Sequence, residues 1–211
     1  LFFSFRCVRG VAAMCVPVAA IMALSTAPAA AQTKIAITNP SFLQPSVKDG
    51  GNSYISVGTR NDAIPGWRVT EGGVDVLSRD SADTRNRSQA LDLNGAGTDP
   101  GTIEQKIRTD GMGMVTVQFR AKLNNAHSFC RDNSRARATQ QEFVVRFAGN
   151  RDTRFFSLGS LNEPASSSYT DWQNFRAEFH PSGDFSRLQF ASKTPNAHCG
   201  PVITDIRATQ T

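Results

Sequence analysis

The sequence predicts an all-β protein, an antiparallel jelly-roll β-sandwich, on three observations. Side chains alternate with a period of two rather than 3.6 along most of the chain. Turn signals recur between the alternating segments: Ile64-Pro65-Gly66, Glu71-Gly72-Gly73, Asn94-Gly95, Asp110-Gly111, Gly149-Asn150 and Ser182-Gly183. And 14 of the 211 residues are Phe, rigid rings suited to filling the layer between two sheets. No stretch has the 3.6-residue period of a long helix. With 39% hydrophobic and 19% charged residues, the composition excludes a disordered or collagen-like chain.

The first element is a leader. Arg6 and Arg9 precede an apolar run over residues 11–24, no acid occurs before Asp49, and Ala29-Ala30-Ala31 puts small residues where a signal peptidase reads. Cleavage is expected after Ala31, because Pro17, Pro28 and the Ala-rich end do not suit a buried helix. The run is shorter than the ~20 residues that span a bilayer. Met14 is too bulky to precede a lipid-anchored Cys15, and the chain stops at Thr211 with no apolar tail. A soluble product in the secreted or periplasmic space is therefore expected, as a single domain over residues 32–211. Losing Arg6 and Arg9 lowers the net charge from +5 to +3.

The strands follow in order. Short candidates are residues 35–37, 67–70, 74–77, 90–93 and 102–107. The clearest alternation is Val115, Val117, Phe119 and Ala121 set against Thr116, Gln118 and Arg120, which makes one face apolar and the other wet. Phe143, Val145 and Phe147 repeat the pattern, as do Phe175, Ala177 and Phe179 around Arg176 and Glu178. Residues 154–158, 188–191 and 202–208 complete the set. Two stretches read as long loops: 44–61, rich in Gly, Ser and Asn, and 124–139, rich in Arg, Asn and Ser.

With Cys7 and Cys15 in the leader, Cys130 and Cys199 remain for an oxidising compartment, and a disulfide between them is expected. Closing that loop is worth about 4 kcal/mol in the chain-entropy model. The rival is a zinc site from His127, Cys130, His198 and Cys199. It suffers because adjacent residues of an extended segment point opposite ways. The arginines at 131, 135, 137, 146, 151 and 154 are interleaved with Asp132, Glu142 and Asp152, so they read as a solvated face rather than a nucleic-acid site.

A further series is more specific. Asn39-Pro40-Ser41-Phe42, Ile64-Pro65-Gly66-Trp67, Gly73-Val74-Asp75-Val76, Leu91-Asp92-Leu93-Asn94-Gly95, Gly101-Thr102-Ile103-Glu104-Gln105 and Gly200-Pro201-Val202-Ile203-Thr204-Asp205-Ile206 occur in that order. The series resembles the DUF642 and choice-of-anchor C family of secreted proteins. The resemblance implies a galactose-binding-domain-like jelly roll, similar to carbohydrate-binding modules, with a cell-wall or extracellular polysaccharide as ligand. Such jelly rolls often hold a structural calcium between an acid after the first-motif Phe and an Asp in the last strand. This sequence has Leu43 and Thr204 there, and calcium wants six to eight oxygen ligands, so no calcium and no other cofactor is expected.

A hydrolase would need a nucleophile beside a base or two carboxylates across a cleft. The G-x-S-x-G elbow is absent, and only His127, His180 and His198 offer imidazole. Asp75 and Asp92 could in principle be such a pair, but both lie inside the motifs, where they read as hydrogen-bonding groups. The fragment from Asp92 to Asp99 lacks the ligand spacing of a calcium loop and reads as a turn whose Asn-Gly reverses the chain, as in a hairpin. No catalytic residue is assigned. Sugar recognition instead asks for a flat ring against a pyranose face and polar groups for its hydroxyls. Convergent loops at one sandwich end would offer Tyr54, Asp75, Arg79, Asn94, His127 and Tyr169. The expected function is a non-enzymatic module binding a polysaccharide. The alternatives are an extracellular structural or adhesion protein with a protein partner, and an atypical polysaccharide hydrolase or esterase.

Overall fold

Alternating segments become strands because each can bury its apolar face only against a second sheet. A computed structural model describes residues 31–50, 53–84, 88–95, 99–124, 140–147, 152–159, 172–195 and 198–211. These form twelve strands: β1 (Thr33–Ile35), β2 (Tyr54–Gly58), β3 (Arg68–Glu71), β4 (Gly73–Leu77), β5 (Ala90–Asp92), β6 (Thr102–Arg108), β7 (Val115–Lys122), β8 (Glu142–Phe147), β9 (Asp152–Ser157), β10 (Gln173–Phe179), β11 (Phe185–Ser192) and β12 (Val202–Gln210). One helical turn, α1 (Arg79–Ala82), follows β4. Every strand pair is antiparallel.

The larger sheet runs β10-β7-β12-β5-β4-β2, with β1 pairing the C-terminal half of β12; the smaller runs β3-β6-β11-β8-β9. This is the antiparallel jelly-roll sandwich that the period-two pattern predicts. The layer between the sheets is aromatic. Phe119 of β7 lies within 5.1–5.8 Å, ring centre to ring centre, of Phe190, Phe156, Phe175 and Phe143, and so ties both sheets together. Trp67 is only 2% exposed and packs on Phe42 and Phe190.

The structure corrects three expectations. The stretch 44–61 is not one long loop, because Tyr54–Gly58 pairs with β4 as an edge strand. Only Val57 of that strand is buried, so the burial alternation that marks other strands is missing. The Asn94-Gly95 turn closes no hairpin: β5 and β6, on either side of it, belong to different sheets. A short helix, α1, follows β4 where none was expected, capped by the Ser78 hydroxyl accepting from the Ser81 amide at 3.1 Å. Nearly all of the second expected loop, from residue 125 to 139, lies outside the described residues, as does the leader.

No helix among the described residues is long and apolar enough to cross a membrane.

Candidate functional site

The wet face of the best-alternating segment leads to the site. In β7, Gln118 and Arg120 point away from the core while Val117, Phe119 and Ala121 are buried. On one side β10 sets Arg176 opposite Gln118 and Asn174 opposite Arg120. On the other side β12 sets Arg207 opposite Gln118 and Thr204 opposite Arg120. Cross-strand partners share a face, so Arg176, Gln118 and Arg207 form one row and Asn174, Arg120 and Thr204 the next. These strands carry an open groove of about 460 Å³ lined by Gln118, Arg120, Asn174, Arg176, Asp205 and Arg207, together with Phe119 and Phe175, whose rings face the core.

A bulge in β12 shapes one wall. The register shifts between Thr204 and Arg207, and Asp205 adopts a left-handed φ of 55°. Its carboxylate accepts hydrogen bonds from the Ser41 and Ser88 hydroxyls, both at 2.7 Å, and pairs with Arg120 at 3.1 Å. Local cost at the backbone is thus offset by three side chains from distant parts of the chain. Arg120 also reaches over the Trp172 ring at 5.0 Å, where Lys122 lies at 5.1 Å. The indole is half-buried, donates to the Asp83 carbonyl at 3.1 Å and packs on Leu77, Ala82, Ala90 and Val202.

The residues expected to converge at one rim are distributed differently. Tyr54 is half-exposed on the edge strand β2, and its neighbour in register is Leu77. Arg79 opens α1 and pairs with Asp49. Asp75 on β4 is 8% exposed and accepts from the Ser56 hydroxyl at 2.6 Å. Asn94 is fully buried, and its amide donates to the Thr194 carbonyl at 2.8 Å. Tyr54, Asp75 and Arg79 therefore share the β2–β4 side of the large sheet, and Asn94 sits inside the protein. His127 and Tyr169 lie outside the described residues. Cys199 is buried beside the exposed His198, and its expected partner Cys130 also lies outside the described residues.

Two of the motif carboxylates, Asp75 and Asp92, belong to the frame. Asp92 on β5 accepts from the amides of Asn94 at 2.8 Å and Gly200 at 3.0 Å, and from the Asn124 side chain at 2.5 Å. Burial pushes its carboxyl well above the usual carboxylate range, and the charge of Asp75 adds to the push. At the position where the resemblance would place a calcium ligand, Thr204 is buried and its hydroxyl donates to the Gln89 carbonyl at 2.7 Å. Among the described residues, no group of three or more His, Cys, Asp or Glu side chains is arranged to hold a metal ion.

Gln118, Asn174, Arg176 and Arg207 were not anticipated as site residues. The available signal was the polar half of each alternating strand. It told that Gln118 and Arg120, or Asn174 and Arg176, share a face; only the strand order brings the three strands together.

A family model described as "Protein of unknown function (DUF642)" matches residues 35–209. A comparison with curated proteins found no match. Among solved structures, the chain is similar to an arabinose-bound family 51 α-L-arabinofuranosidase, with 10% identity and a TM-score of 0.51 over 83% of this chain; it spans 26% of that enzyme's length. It is similar to an apo cyclase from Fischerella sp., with 10% identity and a TM-score of 0.51 over 87% of this chain and 98% of the other. A family 61 carbohydrate-binding module in complex with β-1,4-galactotriose aligns at 10% identity and a TM-score of 0.48, over 85% and 100% of the two chains. At such identities, the likeness is one of fold.

Proposed function

Because the chain belongs to the DUF642 family, we propose that it is a secreted or periplasmic, non-enzymatic module that binds a cell-wall or extracellular polysaccharide across the outward face of its larger sheet. The observation that carries this reading is the groove over β10, β7 and β12. Polar side chains on neighbouring strands line it at the regular spacing of a β-ladder. Gln118 and Asn174 offer amides that both donate to and accept from sugar hydroxyls, and Asp205 and Arg120 are held in place by their own bonds. An extended chain laid along such a surface meets a row of contacts rather than one deep pocket.

A non-catalytic role is favoured because the neighbouring carboxylates Asp75 and Asp92 are frame groups. Asp92 is buried and triply hydrogen-bonded, and Asp75 is occupied by Ser56. The reading also carries the cleavage after Ala31 and a Cys130–Cys199 bridge, which a mass of the exported protein and a thiol titration under non-reducing conditions would test. The choice-of-anchor C and galactose-binding-domain-like affiliations belong to the same proposal.

The test is affinity electrophoresis in gels containing plant and bacterial polysaccharides. Retardation by at least one of them is expected, and it should weaken in a Gln118→Ala/Asn174→Ala double variant whose melting temperature is unchanged. Retardation lost in Tyr54→Ala but kept in the double variant would move the site to the β2 edge. A protein retarded by no polysaccharide but retained by an envelope protein would replace this reading with the adhesion one. Release of reducing ends or ester products during incubation would replace it with a hydrolase.

A further inference from the structure

Resting on the groove reading above, we infer that the glycan held there is acidic, a polysaccharide whose residues carry carboxylates. The lining holds three guanidinium groups, Arg120, Arg176 and Arg207, against the single carboxylate of Asp205. That carboxylate is already committed to Arg120, Ser41 and Ser88. Arg176 has a partner in Glu178, which lies on its own strand outside the lining. Arg207 is exposed and makes no ion pair with any described residue. The groove therefore carries a surplus of positive charge, with one guanidinium that no described residue pairs.

The arrangement suits a repeating anion better than an isolated one. Arg176 and Arg207 flank Gln118 in one cross-strand row, two strand spacings or roughly 10 Å apart. The bulge at Asp205 restores the outward direction of Arg207 after the left-handed turn of the backbone, so the charge stands on the sheet face rather than at its end. A planar guanidinium binds a carboxylate through two parallel hydrogen bonds, a geometry an ammonium does not offer. Gln118 between these charges, and Asn174 in the next row, face the groove with neutral amides, which fit the hydroxyls that separate the carboxylates of a uronate chain. A neutral glycan would satisfy the amides and leave Arg207 with water alone.

Binding of the protein to polygalacturonate and alginate, as carboxylated chains, is compared with neutral galactan and with dextran sulfate by isothermal titration at several salt concentrations. The carboxylated chains are expected to bind about tenfold tighter than galactan at low salt, with the advantage shrinking as salt rises. Arg207→Ala should lose about tenfold on the carboxylated chains and nothing on galactan, and Arg207→Lys should recover only part of the loss. Arg207 is at the surface, so an unchanged melting temperature is the control on folding. Equal affinity for galactan and the carboxylated chains overturns this inference and leaves the carbohydrate reading standing. Tighter binding to dextran sulfate, indifferent to Arg207→Ala, shows unspecific attraction of polyanions and also overturns it. Binding to none of the four, together with none of the wider polysaccharide panel, removes the carbohydrate reading itself.

Discussion

Asp92 on β5 and Asp75 on β4 are cross-strand partners, two carboxylates set side by side on the larger sheet. They differ in environment. Asp75 has a short bond from a serine hydroxyl, while Asp92 is buried and gathers the amides of Asn94 and Gly200 and the side chain of Asn124. One side chain thus fixes the end of β5, the approach to β12 and the end of the β7 segment. That is a structural role for a residue that sequence motifs make conspicuous.

The pair makes stability depend on pH in a defined direction. The folded state holds the Asp92 proton more tightly than the unfolded chain, whose carboxyl titrates near 3.8. Between that value and the folded one, the unfolded state binds fewer protons, so stability falls as pH rises through this window and levels off above it. Urea midpoints from about pH 4 to about pH 8 should show the decline in the wild type and a flatter profile in Asp92→Asn. Asp92→Ala, which strips two backbone amides of their acceptor, should cost about 3 kcal/mol near pH 4 and less as pH rises through the window.

Asp205 supports the bulge that shapes the groove wall. Asp205→Ala removes the acceptor of Ser41 and Ser88 and the counter-charge of Arg120, whose side chain is 25% exposed. A loss of about 2 kcal/mol is expected by urea unfolding, with glycan binding weakened as well. Asp205→Asn tolerates the left-handed backbone and still accepts from a hydroxyl, so it should cost roughly half as much. An Ala variant as stable as the wild type would show that the bulge stands without these bonds.

Buried and exposed phenylalanines should differ in how much their loss costs. Phe119 touches rings from both sheets, and Phe119→Ala should cost about 3–5 kcal/mol by denaturant unfolding. Phe155 on the edge strand β9 is 77% exposed, and Phe155→Ser should change stability by no more than about 0.5 kcal/mol. A large loss in the second variant would reveal a partner covering that edge.

Gly72 turns the chain from β3 in the smaller sheet to β4 in the larger. Its φ is +55°, and a Cβ there would stand 2.5 Å from the Pro100 carbonyl oxygen, a backbone atom that has little room to move. Gly72→Ala should therefore lower stability by about 2 kcal/mol or more, read from the thermal midpoint. Recovery of the wild-type midpoint would mean that the crossing loop adapts.

The strands most legible in the sequence were those buried on one face and wet on the other. Val115–Lys122, Glu142–Phe147 and Gln173–Phe179 announce themselves because a sheet residue's neighbour must point the opposite way. The edge strand Tyr54–Gly58 did not, since an edge under little cover needs no apolar alternation. Asn94 and Asp75 looked like ligand groups because polar residues in motifs resemble a site; burial decides otherwise, by giving Asn94 the Thr194 carbonyl and Asp75 the Ser56 hydroxyl.

Periodicity, turn residues and aromatic content were enough to determine an antiparallel sandwich, because alternation is a local property written along each strand. The groove was decided by tertiary structure alone. Gln118, Arg176 and Arg207 come from strands that are far apart in the chain, and they become neighbours only when β10 and β12 hydrogen-bond to opposite edges of β7. Strand order depends on contacts between distant segments, and no local pattern encodes it.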